Sequence, residues 1–272
     1  MESGVIPISN WQLALSVVLL LLAGVVSAAL QLGLLRSLLW GGVRTFLQLT
    51  LIGYALTYIF AWNNPWVILL AVLFMTAVAT QTATHRSHSV PRTQYPRALA
   101  FLSLLASTML VGVIVVGLII GPEPWYSARV AIPIFGMLLG NSMNGIALSL
   151  ERLYSSVNAH LPEVEELLAL GATPWEAVRP SVKEAVRAGM TPTINSLMVT
   201  GLVSLPGMMT GQILGGADPR VAVRYQVVVM FMIAAAVALG CLLLVGLSYR
   251  RLFTDDEYLI PELRQSRNGS TE

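Results

Sequence analysis

Residues 151–189 read ERLYSSVNAHLPEVEELLALGATPWEAVRPSVKEAVRAG, and they form one long charged stretch in an otherwise apolar chain. Five stretches before it and two after it are apolar and long enough to cross a membrane. A bilayer core about 30 Å thick needs roughly 20 apolar residues as helix, because lipid offers the backbone no hydrogen-bond partners. The charged stretch therefore lies in water, between the fifth and sixth spans.

The composition supports this interpretation. Of the 272 residues 56% are hydrophobic and 11% are charged, whereas a soluble domain carries roughly 25% charged residues. We expect an all-α polytopic membrane protein with one transmembrane domain, residues 1–253, and a flexible cytoplasmic tail, residues 254–272. The predicted spans are Trp11–Leu35, Leu38–Phe60, Pro65–Thr84, Ala98–Ile120, Ala128–Leu150, Met190–Leu214 and Val221–Tyr249.

Arginine placement predicts the orientation of the chain. Arginines concentrate in the loop from His85 to Arg97, in the charged stretch and at Arg250–Arg251. With seven spans these three segments fall on one side, and the positive-inside rule makes that side the cytoplasm. The N-terminus is then outside and the C-terminus inside. The exceptions at outer ends are Arg129, Arg220 and Arg224.

Several chemistries are excluded by the residues that the sequence lacks. The only lysine is Lys183, and no Gly-x-x-x-x-Gly-Lys-[Ser/Thr] motif occurs. If ATP powers this chain, a separate polypeptide must bind it. No carboxylate lies inside a predicted span, which argues against a proton relay and against a strong site for zinc or iron there. The net charge of +2 gives no indication of nucleic-acid binding.

Catalysis by the chain itself is not expected. Gly140–Asn144 departs from the Gly-x-Ser-x-Gly elbow, and every histidine falls in a predicted cytoplasmic part, so Ser142 has no base within the membrane. We predict no catalytic residues and no cofactor in this chain.

Local signals predict two short helices with a bend inside the charged stretch, which we call the coupling segment, residues 151–189. Pro162 suits the first turn of one helix. Gly171 interrupts the pattern, and Thr173 with Pro174 and Glu176 forms a capping-box arrangement for the next helix. Two amphipathic helices with a bend are typical of a docking element.

Two interpretations of these helices remain open: they lie along the membrane interface, or they bind a partner protein. Glu163, Glu165 and Glu166 favour the partner, because anionic lipid would repel three acids in four positions.

Polar residues within the predicted spans are candidates for a translocation path. Arg44 and Gln48 lie four apart on one helical face of the second span; Arg44 either faces the helix bundle or extends to the lipid headgroups. In the fifth span Gly136 and Gly140, with Ser142 and Gly145 after them, are small residues that allow a close helix approach. The amides of Asn141 and Asn144 follow them, and they either join helices or line a path.

The sixth predicted span is the most irregular. Pro206 and Gly207 interrupt its middle, and Asn195 and Ser204 belong to its polar face. Broken helices with polar faces are where transporters place their paths, although a kinked packing helix is the alternative. Met208 and Met209 are soft potential metal ligands or ordinary core filler; whether the chain holds a metal stays open.

These segments resemble a known family, the Fet-type iron-export ABC transporter permeases, which have seven spans and whose plant relatives act in aluminium tolerance. The resemblance covers nearly the whole chain. It is carried by Arg44–Phe60, Ile132–Asn144, Leu170–Pro174, Gly201–Met209, Asp218–Gln226 and Met230–Phe231.

The resemblance implies a permease domain over residues 1–253 in a bacterial inner membrane. It implies a homodimer that pairs with two copies of an ATPase subunit, which binds the ATP and magnesium. The exported metal would be iron, although the plant relatives point to a nucleotide sugar. Glu165 and Gly171 match the spacing of the import-permease coupling loop, but the two alanines after the Glu of that motif are replaced here by Glu166 and Leu167.

From the residues and the resemblance together we assign two sets. The coupling set is Glu165, Glu166, Leu170, Gly171, Thr173 and Trp175. The path set is Arg44, Gln48, Asn141, Asn144, Asn195, Ser204, Met208 and Met209. A scaffold or sensor that docks a cytoplasmic protein and transports nothing is the alternative function.

Overall fold

The computed structural model of the chain describes residues 7–85, 94–254 and 258–259. These residues form nine α-helices. A π-helical turn (Val115–Ile120) continues the fourth helix and a 3-10 turn (Tyr249–Leu252) follows the ninth. The bounds are α1 Asn10–Ala29, α2 Leu35–Trp62, α3 Pro65–His85, α4 Gln94–Ile114, α5 Ala128–Ala159, α6 Leu161–Ala169, α7 Pro174–Val199, α8 Gly207–Leu214 and α9 Pro219–Ser248. The all-α prediction is confirmed.

Six helical segments in the described part of the chain are long and apolar enough to cross a membrane. They match the predicted spans one to five and seven, so the chain is a multi-pass membrane protein. The orientation of the bundle in the membrane stays a prediction. It was inferred from the positions of the arginines, and two of these, Arg86 and Arg92, lie outside the described residues. The six segments are Asn10–Ala29, Leu35–Trp62, Pro65–His85, Pro96–Ile120, Ala128–Ala159 and Pro219–Leu252.

The prediction of one sixth helix over Met190–Leu214, preceded by a separate short coupling helix, is wrong. α7 is a single helix of 26 residues that begins at Pro174 in the coupling segment and ends at Val199. Residues 200–206 are not helical, and α8 starts only at Gly207. The chain leaves the helix because Thr200 is extended, Gly201 has a φ of +88° and Pro206 disfavours helix in the residue before it. The break at Pro206 and Gly207 is thus wider than a kink.

α5 is the centre of the bundle, and α3, α4, α7 and α9 pack around it. It runs on for nine residues beyond the predicted end of its span at Leu150, so the first part of the coupling segment continues this helix. Its buried residues include Leu138, Ile146, Leu150 and Leu153, which join the cores on both sides of the bundle. Protein interiors are close-packed, so burial among these helices fixes the positions of the polar side chains between them.

α1 and α2 form a hairpin at the edge of the bundle. They pack mainly against each other, and of their residues only Gly24 and Ser27 are buried. Arg44 and Gln48 of α2 are exposed. The hairpin therefore adds little to the core of the single chain.

Most of the predicted flexible tail, residues 254–272, lies outside the described residues. Of that range the structure describes Thr254, Tyr258 and Leu259. Thr254 N donates to the carbonyl oxygen of Tyr258 (2.7 Å), and Leu259 is buried in the core cluster that contains Leu252. This part of the tail is packed against the bundle.

Candidate functional site

A cleft of about 530 Å³ opens where α7 ends. α5, α7 and α9 form its walls, and residues 204–206 between α7 and α8, with the first two residues of α8, close one side. The polar groups that line it are amides and hydroxyls. The cleft is lined by Met137, Asn141, Asn144, Gly145, Gly189, Pro192, Thr193, Ser196, Val199, Thr200, Ser204, Leu205, Pro206, Gly207, Met208, Gln226, Val229, Met230 and Ile233.

The α5 wall brings together two of the predicted path residues. Asn141 and Asn144 line the cleft with Met137, because positions three, four and seven apart share one helical face. The Nδ2 of Asn141 donates to the carbonyl oxygen of Met137 at 2.8 Å. That bond uses the amide nitrogen and keeps the amide oxygen of Asn141 available to a bound molecule.

The α9 wall contributes Gln226, which the sequence analysis missed. Its side chain is 5% exposed, and its Oε1 has no hydrogen-bond partner among the described residues. A buried carbonyl oxygen without a partner costs about 1–3 kcal/mol. The available signal was a single glutamine within the seventh predicted span, directly before the apolar run Val227–Leu239.

The gap between α7 and α8 brings Ser204 and Met208 to the same cleft. Gly201 N donates to the carbonyl oxygen of Ser204 (2.9 Å), which folds residues 200–204 into a tight turn. Pro206 precedes the first turn of α8. The C-terminal end of α7 and the N-terminal end of α8 thus meet at the cleft, and each helix end carries a partial charge of its own sign.

Four predicted path residues do not line the cleft. Arg44 and Gln48 lie on the peripheral hairpin, Asn195 is on an exposed face of α7, and Met209 is next to a lining residue but is not one itself. Among the described residues no group of three His, Cys, Asp or Glu side chains is placed to hold a metal. What the cleft offers is neutral oxygens and thioether sulfurs.

The floor of the cleft is a close crossing of α5 and α7. A Cβ at Gly189 would lie 2.6 Å from the carbonyl oxygen of Gly145 and 2.0 Å from the Oγ of Ser149. Only glycine allows this approach, which holds the two helices together at the level where the cleft begins.

At the other end of α7 lies the bend of the coupling segment. Gly171 has a φ of +91°, and its N–H donates to the carbonyl oxygen of Leu168 (3.0 Å), while Ala172 N donates to that of Leu167 (2.9 Å). This pattern ends α6 as the sequence predicted. Leu170 is 79% exposed at the tip of the bend. We call Leu170–Thr173 the coupling turn.

The capping box after the coupling turn is confirmed. Thr173 Oγ1 accepts from Glu176 N, and the Glu176 carboxylate accepts from Thr173 N at 2.9 Å. The backbone N–H and the hydroxyl of Thr173 lower the pKa of Glu176. The helix that the cap starts is α7, so the turn and the cleft share one helix.

Two contacts hold the α7 part of the coupling segment in place, one with the turn after α9 and one with the end of α5. Trp175 packs edge-on against Tyr249, with ring centroids 5.1 Å apart. Glu184 of α7 accepts from Ser156 (2.7 Å) and pairs with Arg152, both of α5, and these donors lower the pKa of its carboxyl group. Among the predicted coupling acids, Glu165 is half-buried and Glu166 is exposed.

Comparison with known proteins shows that the cleft and the coupling turn lie in the part of the chain that matches one protein family. The family described as "Uncharacterised protein family (UPF0014)" matches residues 10–253, which include the cleft and the coupling turn. The chain belongs to the UPF0014 family. The predicted resemblance is confirmed by the relatives that follow.

The UPF0014 chain is similar along almost its whole length to proteins of bacteria and plants. It is 41% identical to a UPF0014 membrane protein of Synechocystis, and the aligned region covers 88% of this chain and 93% of that protein. It is 39% identical to Protein ALUMINUM SENSITIVE 3 of Arabidopsis thaliana (89% and 86%). It is 35% identical to the probable iron export permease protein FetB of Escherichia coli (93% and 95%). No solved structure matches the UPF0014 chain.

Proposed function

We propose that this chain is the membrane-spanning permease subunit of an ABC transporter that exports a metal ion, with iron as the first candidate. A separate ATPase subunit binds and hydrolyses ATP. Two copies of the chain pair with two copies of the ATPase in a bacterial inner membrane. The proposal gives each end of α7 a role.

The observation that carries the proposal is the continuity of α7. Its 26 residues span about 39 Å at 1.5 Å per residue, from the coupling turn to the cleft. The helix stays continuous although Pro180 and Pro192 each remove one backbone hydrogen bond within it. A displacement imposed on the turn is therefore passed along α7 to the cleft wall at Pro192 and Ser196. Such a connection is what a permease needs when its motor is a different polypeptide.

The coupling turn has the properties of a partner-binding surface. Leu170 is an exposed apolar side chain at its tip, and Trp175 is still 42% exposed beside it. Their predicted location is the cytoplasm, where lipid does not cover them. A cleft in an ATPase subunit would bury both side chains and accept the acids of α6 at its rim.

Iron as the cargo is supported by the printed name of the Escherichia coli relative. Export as the direction has the same support. The neutral cleft is compatible with an ion that is bound weakly and released, because conduction requires that binding does not trap the cargo.

The test is a reconstitution of the chain with its ATPase in liposomes. ATP-dependent movement of Fe²⁺ into or out of the vesicles is measured with an internal chelating dye. The proposal requires movement that stops when ATP is left out or when the ATPase is absent. A complete ATPase complex that moves no metal would reject the metal cargo, and one that moves neither a metal nor a nucleotide sugar would favour the scaffold alternative.

The coupling turn has a matched control in the same assay. Leu170→Ala removes an exposed side chain from the turn and should lower both complex formation and ATP-dependent flux. Leu118→Ala removes an equally exposed leucine, 81% against 79%, from the end of the fourth span. If the two variants have the same flux, the coupling assignment is wrong.

A further inference from the structure

We propose that the cleft holds a soft-metal site, in which the thioether sulfurs of Met137, Met208 and Met230 bind a monovalent cation of the Cu(I) or Ag(I) type. This inference rests on the proposed function for the claim that the site lies on a transport path. The binding itself can be tested without transport.

The three methionines come from three separate elements and line one cleft. Met137 is on α5, Met208 is in the first turn of α8 and Met230 is on α9. All three are half-buried, and Met137 and Met208 also pack against the apolar core behind the cleft. Each side chain therefore lies at the boundary between the core and the open space of the cleft.

The chemistry of the donors selects the class of metal. Thioether sulfur is a soft ligand and favours Cu(I), whereas zinc and iron are held by imidazole, carboxylate or thiolate. Among the described residues no cluster of His, Cys, Asp or Glu competes for the metal. The other polar groups in the cleft, such as the Oε1 of Gln226, are neutral oxygens.

The absence of a compensating charge among the groups that line the cleft also selects the charge of the ion. The desolvation cost of burying an ion rises steeply with its charge, and neutral ligands do not cancel that charge. A monovalent ion is therefore accepted at lower cost than a divalent ion of similar size.

Methionine is also a common filler of membrane cores. A filler and a ligand differ in one respect: leucine replaces a filler methionine with little loss, since the two side chains have similar volumes. The Met→Leu exchange at these three positions keeps the packing and removes the sulfur.

The experiment uses the full chain in detergent with Ag⁺ as the probe, since Ag⁺ is stable in air. Cys241 is the only cysteine, so a Cys241→Ala background removes the competing thiol. Methionine methyl groups labelled with ¹³C report each sulfur separately. The matched control is Met75→Leu with Met109→Leu, two methionines of α3 and α4 that do not line the cleft.

We expect saturable binding of one Ag⁺ with shifts of the Met137, Met208 and Met230 methyl signals. The triple variant with leucine at these positions should lose that binding, and the control should keep it. Unchanged Ag⁺ binding in the triple variant, or shifts confined to other methionines, would overturn the site.

The vesicle assay separates this inference from the proposed function. Ag⁺ binding without any ATP-dependent flux would leave the metal site standing and reject the transporter. ATP-dependent Fe²⁺ flux by the parent chain, together with no Ag⁺ binding to that same chain, would leave the transporter standing and reject the site.

Discussion

Gly145 of α5 and Gly189 of α7 lie at a close crossing of the two helices, where a Cβ on Gly189 would come within 2.6 Å of the carbonyl oxygen of Gly145. The same added atom would lie 2.8 Å from the Sγ of Cys241 on α9. The packing of α5, α7 and α9 at the floor of the cleft therefore requires a residue without a Cβ at position 189.

Gly189→Ala should destabilise the bundle by about 1–3 kcal/mol, because the added carbon meets backbone and buried side chains that have no room to move. Thermal unfolding in detergent measures the loss. Gly140→Ala is the control, since a Cβ there meets nothing within 4 Å and alanine favours helix. Equal stability of the two variants would contradict the close crossing.

Gly171→Ala should cost about 1–2 kcal/mol, because an L-residue is strained at a φ of +91°. Gly216 is the control: its φ is +89°, and a Cβ there also meets nothing within 4 Å. It precedes α9, whereas Tyr249, which contacts Trp175 of the coupling segment, follows the other end of that helix. Gly216→Ala should therefore lose similar stability without affecting the ATPase. Measured with the ATPase subunit, only the Gly171 variant should lose stimulation of ATP hydrolysis. If both variants lose the stimulation of ATP hydrolysis, backbone strain explains the effect, and the coupling turn has no specific role.

Gln226→Leu should raise the unfolding temperature and abolish ATP-dependent flux. The substitution removes a buried carbonyl oxygen that has no partner, which is worth about 1–3 kcal/mol, and it removes a group that faces the cleft. A gain in stability with a loss of activity is typical of a functional position.

Gln48→Leu is the matched control for Gln226→Leu, because Gln48 is exposed on α2 and does not line the cleft. It should leave flux unchanged. Loss of flux in the Gln48 variant would indicate that α2 contributes to the translocation path, and it would contradict the proposal that the cleft alone forms this path.

Acid should weaken the link between α5 and α7. The pKa of Glu184 lies below its ordinary value of 4.5, because Ser156 and Arg152 donate to its carboxylate. A lowered folded-state pKa stabilises the native state above the unfolded pKa, and the contribution is lost as the pH falls through the folded pKa. Wild type should therefore be more stable than Glu184→Gln at pH 7. The difference should shrink as the pH drops below 4.5. A difference that is independent of pH would exclude this origin.

Local sequence signals predicted the coupling turn well, because they act within a few residues. Gly171 supplied the left-handed residue, and Thr173, Pro174 and Glu176 supplied the cap of α7. The same signals failed at the C-terminal end of that helix. Pro206 was interpreted as a kink, whereas Gly201 had already ended the helix five residues earlier. Two breaking signals so close together end a helix where one alone bends it.

The cleft was predicted in part. Four of the predicted path residues, Asn141, Asn144, Ser204 and Met208, meet at this cleft, and their role in a path stays a prediction. Arg44 and Gln48 have the same helical spacing but lie on the peripheral hairpin. Periodicity identifies a face of a helix, and only packing between helices decides what that face meets. Of the small residues predicted to allow a close approach in the fifth span, Gly145 forms the crossing with Gly189, whereas a Cβ at Gly140 would meet nothing within 4 Å.

The hairpin of α1 and α2 leaves the interior of the molecule almost untouched. In the described chain every buried apolar residue lies at Ile68 or later. The hairpin reaches the core at the end of α2, where Leu56, Ile59 and Phe60 pack against the cluster that contains Ile68 and Phe135. Substitutions on the remaining exposed faces of the hairpin therefore leave the interior packing intact, and their effect falls on the surface that meets lipid.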